Sequence, residues 1–201
     1  MQIKDKKVWF YADPHFGHKN VIRYCNRPFN NISDMNTQLI KNYNKLVSNN
    51  DIVYILGDLS FLNTTSTAEI VKALKGYKIL IKGNHDLKSN TAYRKMGFIE
   101  VYNRPVIFST QYILSHEPII DDLYDKSGFI NIYGHLHNNA INNSNTKFCV
   151  SVEMTDYKPI SFEDIKKELR KPKGLGSPYW VPRCDLFNYT EGEADENSNS
   201  R

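Results

Sequence analysis

Apolar residues occur along this chain in short bursts, each running into a polar cluster. Seven such segments are rich in β-branched and aromatic residues: Val8 to Ala12, Ile52 to Leu56, Ile79 to Ile81, Val106 to Phe108, Tyr112 to Leu114, Phe129 to Tyr133 and Phe148 to Val152. That pattern predicts buried strands. Between them, Ser33 followed by Met35, Leu39, Tyr43 and Leu46 has helical apolar spacing behind a capping residue. Shorter helices are predicted over Thr67 to Leu74 and Asn90 to Met96, the second stopped by Gly97. A last helix opens on Ser161-Phe162-Glu163-Asp164, an S-x-x-D capping pattern, and is ended by Pro172 and Gly174. No internal repeat or long linker interrupts this order, so one domain over 1–190 is expected. Its end, 177–190, is an aromatic extension, "SPYWVPRCDLFNY", expected to pack on the body or a partner. Residues 191–201 are polar, acidic and without aromatics, and are expected to stay disordered.

A chain of 201 residues can bury a proper core. Apolar residues at 40% and charged residues at 24% are ordinary for a globular domain. No apolar run approaches the roughly 18 to 20 residues that span a bilayer, and the N-terminus lacks a secretory pattern. A cytoplasmic protein is therefore expected. Cys25, Cys149 and Cys184 are far apart and include no CxxC pair, which argues against both a disulfide framework and a thiolate zinc site. The net charge of +4 includes an acidic tail, so the body is more basic than the total. Such a surplus favours anionic partners in a general way.

The candidate chemistry lies where the strands end. The chain has six histidines, and all but His18 stand at or just past the end of a predicted strand. With their neighbours they form, in order, Asp13-x-His15, Gly57-Asp58, Gly83-Asn84-His85-Asp86, His116 and Gly134-His135-Leu136-His137. In open sheets ligands bind outside the carboxyl ends of strands, where loops converge. Each block alone has a bland reading as a turn, a cap or a hydrogen-bonded core group. The ordered set does not.

These five blocks resemble the signature of the calcineurin-like metallophosphoesterases. "FGHKNVIRYCNRPF" further resembles the compact single-domain members of bacteria and their phages. The resemblance implies an α/β (α+β) fold, a four-layer sandwich of two mixed β-sheets flanked by helices. It also implies two divalent metal ions. Asp13, His15 and His137 would hold the first, Asn84, His116 and His135 the second, with Asp58 bridging. His85 would act on the reacting phosphoryl group or the leaving alcohol, and Asp86 would orient it.

Carboxylate, amide and imidazole ligands suit manganese, the leading expectation, or iron, nickel or zinc. Two such ions about 3.5 to 4 Å apart activate a shared water and clamp a phosphoryl centre. Strand alternation would turn Leu136 away while a local twist hands His135 and His137 to different ions. His18, Arg23 and Arg27 are candidate substrate contacts, as are Lys19 and Arg104, because cations pair with phosphate.

The expected activity is hydrolysis of a phosphodiester, a cyclic or short nucleotide substrate, by a metal-activated hydroxide. A nuclease or phosphomonoesterase is the alternative. A catalytically idle, partner-binding scaffold is disfavoured by the intact ligand set. Nucleic acid and self-association remain candidate partners. A metallo-β-lactamase site would need HxHxDH, whereas Asn138 and Asn139 follow His137.

Overall fold

The computed structural model describes residues 6–120, 127–140 and 146–170. The aromatic extension 177–190 and the tail 191–201 lie outside them. One sheet contains β1 (Val8–Tyr11), β2 (Ile52–Ile55), β3 (Tyr77–Ile81), β4 (Phe98–Tyr102) and β9 (Ile160–Ser161), in the order β4-β3-β2-β1-β9. The other contains β5 (Val106–Phe108), β6 (Tyr112–Leu114), β7 (Ile130–Tyr133) and β8 (Lys147–Cys149), ordered as numbered. Both are mixed: β9 runs antiparallel to β1 and β5 antiparallel to β6, and the remaining pairs are parallel.

The parallel pairs of the first sheet require crossovers, which helices supply. These are α1 (Lys19–Tyr24) with α2 (Ile32–Leu46), then α3 (Thr64–Ala73) and α4 (Asn90–Met96). The period of two in β1 sends Trp9 and Tyr11 into a core shared with Met35, Leu39 and Tyr43 of α2, and Phe10 and Ala12 into a second core. That second core lies between the sheets, with Leu114, Ile132 and Phe148 on its far side. Burial on both faces explains why β1 reads as a continuous apolar run. The last helix, α5 (Phe162–Arg170), contributes Phe162 and Ile165 to the inter-sheet core. Two mixed sheets flanked by helices, the expected fold class, are thus in place.

All seven expected strands are present, with ends shifted by at most a few residues. Helix α4 has the expected limits, and its stop, Gly97, adopts a left-handed φ of 117°. At α5, Ser161 Oγ accepts from the Asp164 backbone N–H at 3.1 Å and donates to its carboxylate at 2.7 Å. The cap of α2 is Asn31, which accepts from Asp34 N at 2.9 Å, so Ser33 lies inside the first turn. Strand β4 lacks a strand period in its sequence because a register irregularity opposite Lys78 and Ile79 leaves Phe98 and Val101 buried, a spacing of three rather than two. Helix α1 and strand β9 are too short to show periodicity.

One topological detail places the site. Ala12 pairs with Ser151 in a parallel bridge between the sheets, and Val152 N donates to Ala12 O at 3.0 Å. The carboxyl ends of β1 and β8 therefore meet. Among the described residues no helix is long and apolar enough to cross a membrane.

Leu39 is fully buried against the first sheet. Leu39→Ala should cost about 2–5 kcal/mol in urea unfolding. Leu46→Ala, on the exposed end of the same helix, should stay within about 0.5 kcal/mol.

Candidate metal centre and active site

Six loops leave the carboxyl ends of β1, β2, β3, β6, β7 and β8 and converge on one place. Five of the expected ligands take a backbone conformation that L-residues rarely adopt: Asp13 (φ 56°), His15 (φ 50°), Asp58 (φ 53°), His135 (φ 70°) and His137 (φ 49°). Such clustering marks functional sites, where surrounding structure holds the backbone in place. It also corrects the expected geometry of the paired histidines. Strand β7 ends at Tyr133, and left-handed turns at His135 and His137, rather than strand alternation, set their directions. Leu136 between them does turn away, packing against Tyr133, Cys149 and Met154.

The glycines before these ligands are explained by space. A Cβ at Gly134 would stand 2.7 Å from both Ala12 Cβ and Asp13 Oδ2. One at Gly83 would collide with Asp58 Oδ1. The loops approach too closely for any side chain there.

Among the described residues three groups of three side chains have donor atoms within 4.8 Å of one another; Cys25, Glu153 and His137 form one, and the expected ligands form the other two: Asp13, His15 and His137, and Asp58, His116 and His135. Asn84 joins the last of these, its Oδ1 2.9 Å from His116 Nε2. Asp58 stands between the two groups of expected ligands, its Oδ2 3.4 Å from His15 Nε2 and 3.6 Å from His116 Nε2. All seven residues expected as ligands are therefore brought together. His85 joins them at the rim: its backbone N–H donates to Asp58 Oδ1 at 3.0 Å, and its ring, with the side chain 46% exposed, lies 3.9 Å from Asp58 Oδ2.

The side chains expected as ligands are held by a layer behind them. Nδ1 of His116 lies 2.9 Å from Leu56 O, so it carries the proton and leaves Nε2 for the site. Nδ1 of His137 lies 2.9 Å from Glu153 Oε1. Asp13 Oδ2 accepts from His135 N at 2.8 Å and from Ser151 Oγ at 2.6 Å. Ser151 and Glu153 were not singled out from the sequence, although they follow β8 as the other blocks follow their strands. That placement was the available signal.

Two residues take positions other than those expected. Arg27 is buried, not presented to substrate. Its guanidinium pairs with Glu153 at 2.6 Å and donates to the backbone oxygens of Asp13 and Pro14 at 2.8 and 2.9 Å. A guanidinium that reaches three acceptors behind a ligand loop holds that loop in shape. Asp86 is likewise buried, and instead of orienting the His85 ring its carboxylate accepts from the N–H groups of Asp58, Leu59 and Gly83 and from Tyr93 Oη. It ties the β2 loop to the β3 loop. His18 stacks on Phe61 near His15, while Arg23, Lys19 and Arg104 are exposed.

The donor set fits divalent cations. Asp13 Oδ1 and both ring nitrogens of His15 are buried without a hydrogen-bond partner, a costly arrangement unless something else binds them. Burial lowers the His15 pKa to about 4 and raises that of Asp13 to about 6, so near neutral pH the imidazole is neutral and the carboxylate ionised, the forms that bind metals. Burial raises and the neighbouring His15 imidazole, its Nε2 3.4 Å from Oδ2, lowers the Asp58 carboxyl, which is held near 2. For His137 burial acts downward, but Cys25 and Glu153 outweigh it and push the ring up to about 11. Binding a cation there would release a proton.

The sequence pattern described as calcineurin-like phosphoesterase matches residues 6–180. The chain belongs to that family. This calcineurin-like phosphoesterase is accordingly a metal-dependent hydrolase of phosphoester bonds, for which the family implies divalent metal ions. It is 39% identical over 176 residues to the uncharacterized protein MJ1445 of Methanocaldococcus jannaschii, covering 84% of this chain and 94% of that one. It is 28% identical over 169 residues to the Gene 66 protein of Mycobacterium phage D29, covering 69% and 82%. Among solved structures, the protein of unknown function AQ665 from Aquifex aeolicus superposes with a TM-score of 0.63 at 28% identity, over 82% of this chain and all of that one.

The Arg27–Glu153–His137 chain makes a stability prediction. Glu153→Gln leaves a buried guanidinium unpaired and should cost about 3–5 kcal/mol at pH 7. Burial raises the Glu153 carboxyl, but His137 and Arg27 outweigh it and bring the pKa from 4.5 to about 2. A depressed folded-state pKa stabilises above the unfolded value and loses that contribution as pH falls through the folded one. Urea midpoints of wild type and variant should therefore converge as pH falls from about 4.5 toward 2.

Proposed function

We propose that the protein is a dinuclear phosphodiesterase acting on a short nucleotide substrate, with manganese as the first choice of metal and iron, nickel or zinc as alternatives. The observation that carries this reading is Asp58, a carboxylate within 3.6 Å of imidazoles from both ligand groups. Asp13, His15 and His137 would hold one cation, and Asn84, His116 and His135 the other. Asp58 would be shared.

Cations held there supply Lewis acidity toward a phosphoryl oxygen and lower the pKa of water. The protein side chains do the rest. His116 Nδ1, committed to Leu56 O, and His137 Nδ1, committed to Glu153, cannot swing away, so the ligand nitrogens are fixed before substrate arrives. His85 differs: its ring is half exposed at the mouth of the site while its backbone is anchored on Asp58. That suits a group that donates to the phosphoryl oxygen or protonates the departing alkoxide as water adds across the P–O bond.

Asp58→Asn should lower bound metal and abolish hydrolysis of bis-p-nitrophenyl phosphate, since one carboxylate serves both groups. His85→Ala should retain the metal measured by mass spectrometry yet lose about 10²- to 10⁴-fold in turnover. Full metal content with wild-type turnover in His85→Ala would remove its catalytic role. A wild-type protein that hydrolyses only the monoester would overturn the diesterase reading.

A further inference from the structure

A line of rings and cations begins at the ligand side chains and runs outward along α1, and the hydrolytic chemistry uses none of its outer part. The ring of Phe61, 43% exposed, stacks on His18 with centroids 4.0 Å apart and planes at 15°. It also lies 5.3 Å from the His15 ring and 4.8 Å from that of His85. His18 meets Tyr24 edge-on at 6.5 Å, and the Arg23 guanidinium lies 5.3 Å from the centre of the Tyr24 ring. Tyr24 is 64% exposed, so its ring is not held by the core.

Lys19 stands one helical turn before Arg23, and neither has a carboxylate partner among the described residues. Both border a hollow of about 490 Å³ whose other wall includes Asn30, Asn31 and Ile32.

Exposed rings alternating with unpaired cations match the chemistry of an unpaired nucleic-acid strand. Bases stack on aromatic faces without regard to sequence, while ammonium and guanidinium groups neutralise successive phosphates. A cyclic mononucleotide has one base and one phosphate, too few to occupy Phe61, Tyr24, Arg23 and Lys19 together. A duplex keeps its base faces covered.

We infer that a single strand lies over Phe61, His18 and Tyr24 with its phosphates on Lys19 and Arg23, delivering one phosphodiester to the ligand cluster. This rests on the phosphodiesterase reading and narrows its substrate to oligonucleotides several residues long.

The test compares kcat/KM of the manganese-loaded protein for octathymidylate with that for bis-p-nitrophenyl phosphate. Tyr24→Ala should lower the ratio of the two by about five- to a hundredfold, the range for one stacked base. Tyr24→Phe, which keeps the ring, should restore it. Arg23→Gln and Lys19→Gln should each reduce the slope of log KM for octathymidylate against log salt by about 0.7. An unchanged ratio in Tyr24→Ala, unchanged salt slopes, or a thymidine dinucleotide cleaved as efficiently as the octamer would each overturn the strand track. Wild type inert toward bis-p-nitrophenyl phosphate would instead overturn the phosphodiesterase reading. Fluorescence anisotropy of labelled octathymidylate then decides the track alone, weaker binding by Tyr24→Ala supporting it and equal binding overturning it.

Discussion

Asp13 sits where the two sheets meet, with no exposed surface, and a carboxylate in that position must find partners or lose its charge. The carboxylate finds two, and the residue as a whole is bonded to four other segments. Its N–H donates to Gly57 O after β2, its carbonyl accepts from Arg27, and Oδ2 accepts from His135 N after β7 and Ser151 Oγ after β8. One residue thereby locks the first sheet to the second at the end where the ligands gather. Only Oδ1 is left unpartnered, and it belongs to the first ligand group. The arrangement that closes the sandwich is the same one that leaves this oxygen free beside His15 and His137.

Such preorganisation is costly. Left-handed backbone at a residue other than glycine costs on the order of 1–3 kcal/mol, and it occurs at Asp13, His15, Asp58, His135 and His137. Buried Arg27 and Glu153 add desolvation that their pairing only partly returns. The two apolar cores, one beneath α2 to α4 and one between the sheets, offset these penalties from a distance. Cations would relieve the rest by engaging Asp13 Oδ1 and His15. The site thus follows a common division: packing supplies stability away from the chemistry, and the polar loops use part of it.

Local periodicity made most elements legible, because burial on one or both faces of β1, β2, β3 and β7 leaves its mark within four or five residues. Where that mark is disturbed, legibility stops. The irregular register at Lys78 and Ile79 hid β4, and α1 is too short for its single buried side chain, Val21, to repeat. The ligand blocks were readable for a related reason. Each is a short run of special residue types at the end of an apolar run, and each glycine before a ligand reflects a contact that admits no Cβ.

Residue type and strand-end position, both local, let the sequence alone mark the side chains that the fold gathers at one place and the family of metal-dependent phosphoesterases to which the chain belongs. The tertiary structure decided what each group touches. It turned Arg27 from an anion contact into the partner of Glu153, 126 residues away, and Asp86 from a companion of His85 into the clasp of the β2 and β3 loops. It also brought Ser151 and Glu153 behind Asp13 and His137. Those assignments depend on the order in which strands pair and on the bridge from Ala12 to Ser151, and a pairing between distant segments leaves no periodic trace within either of them.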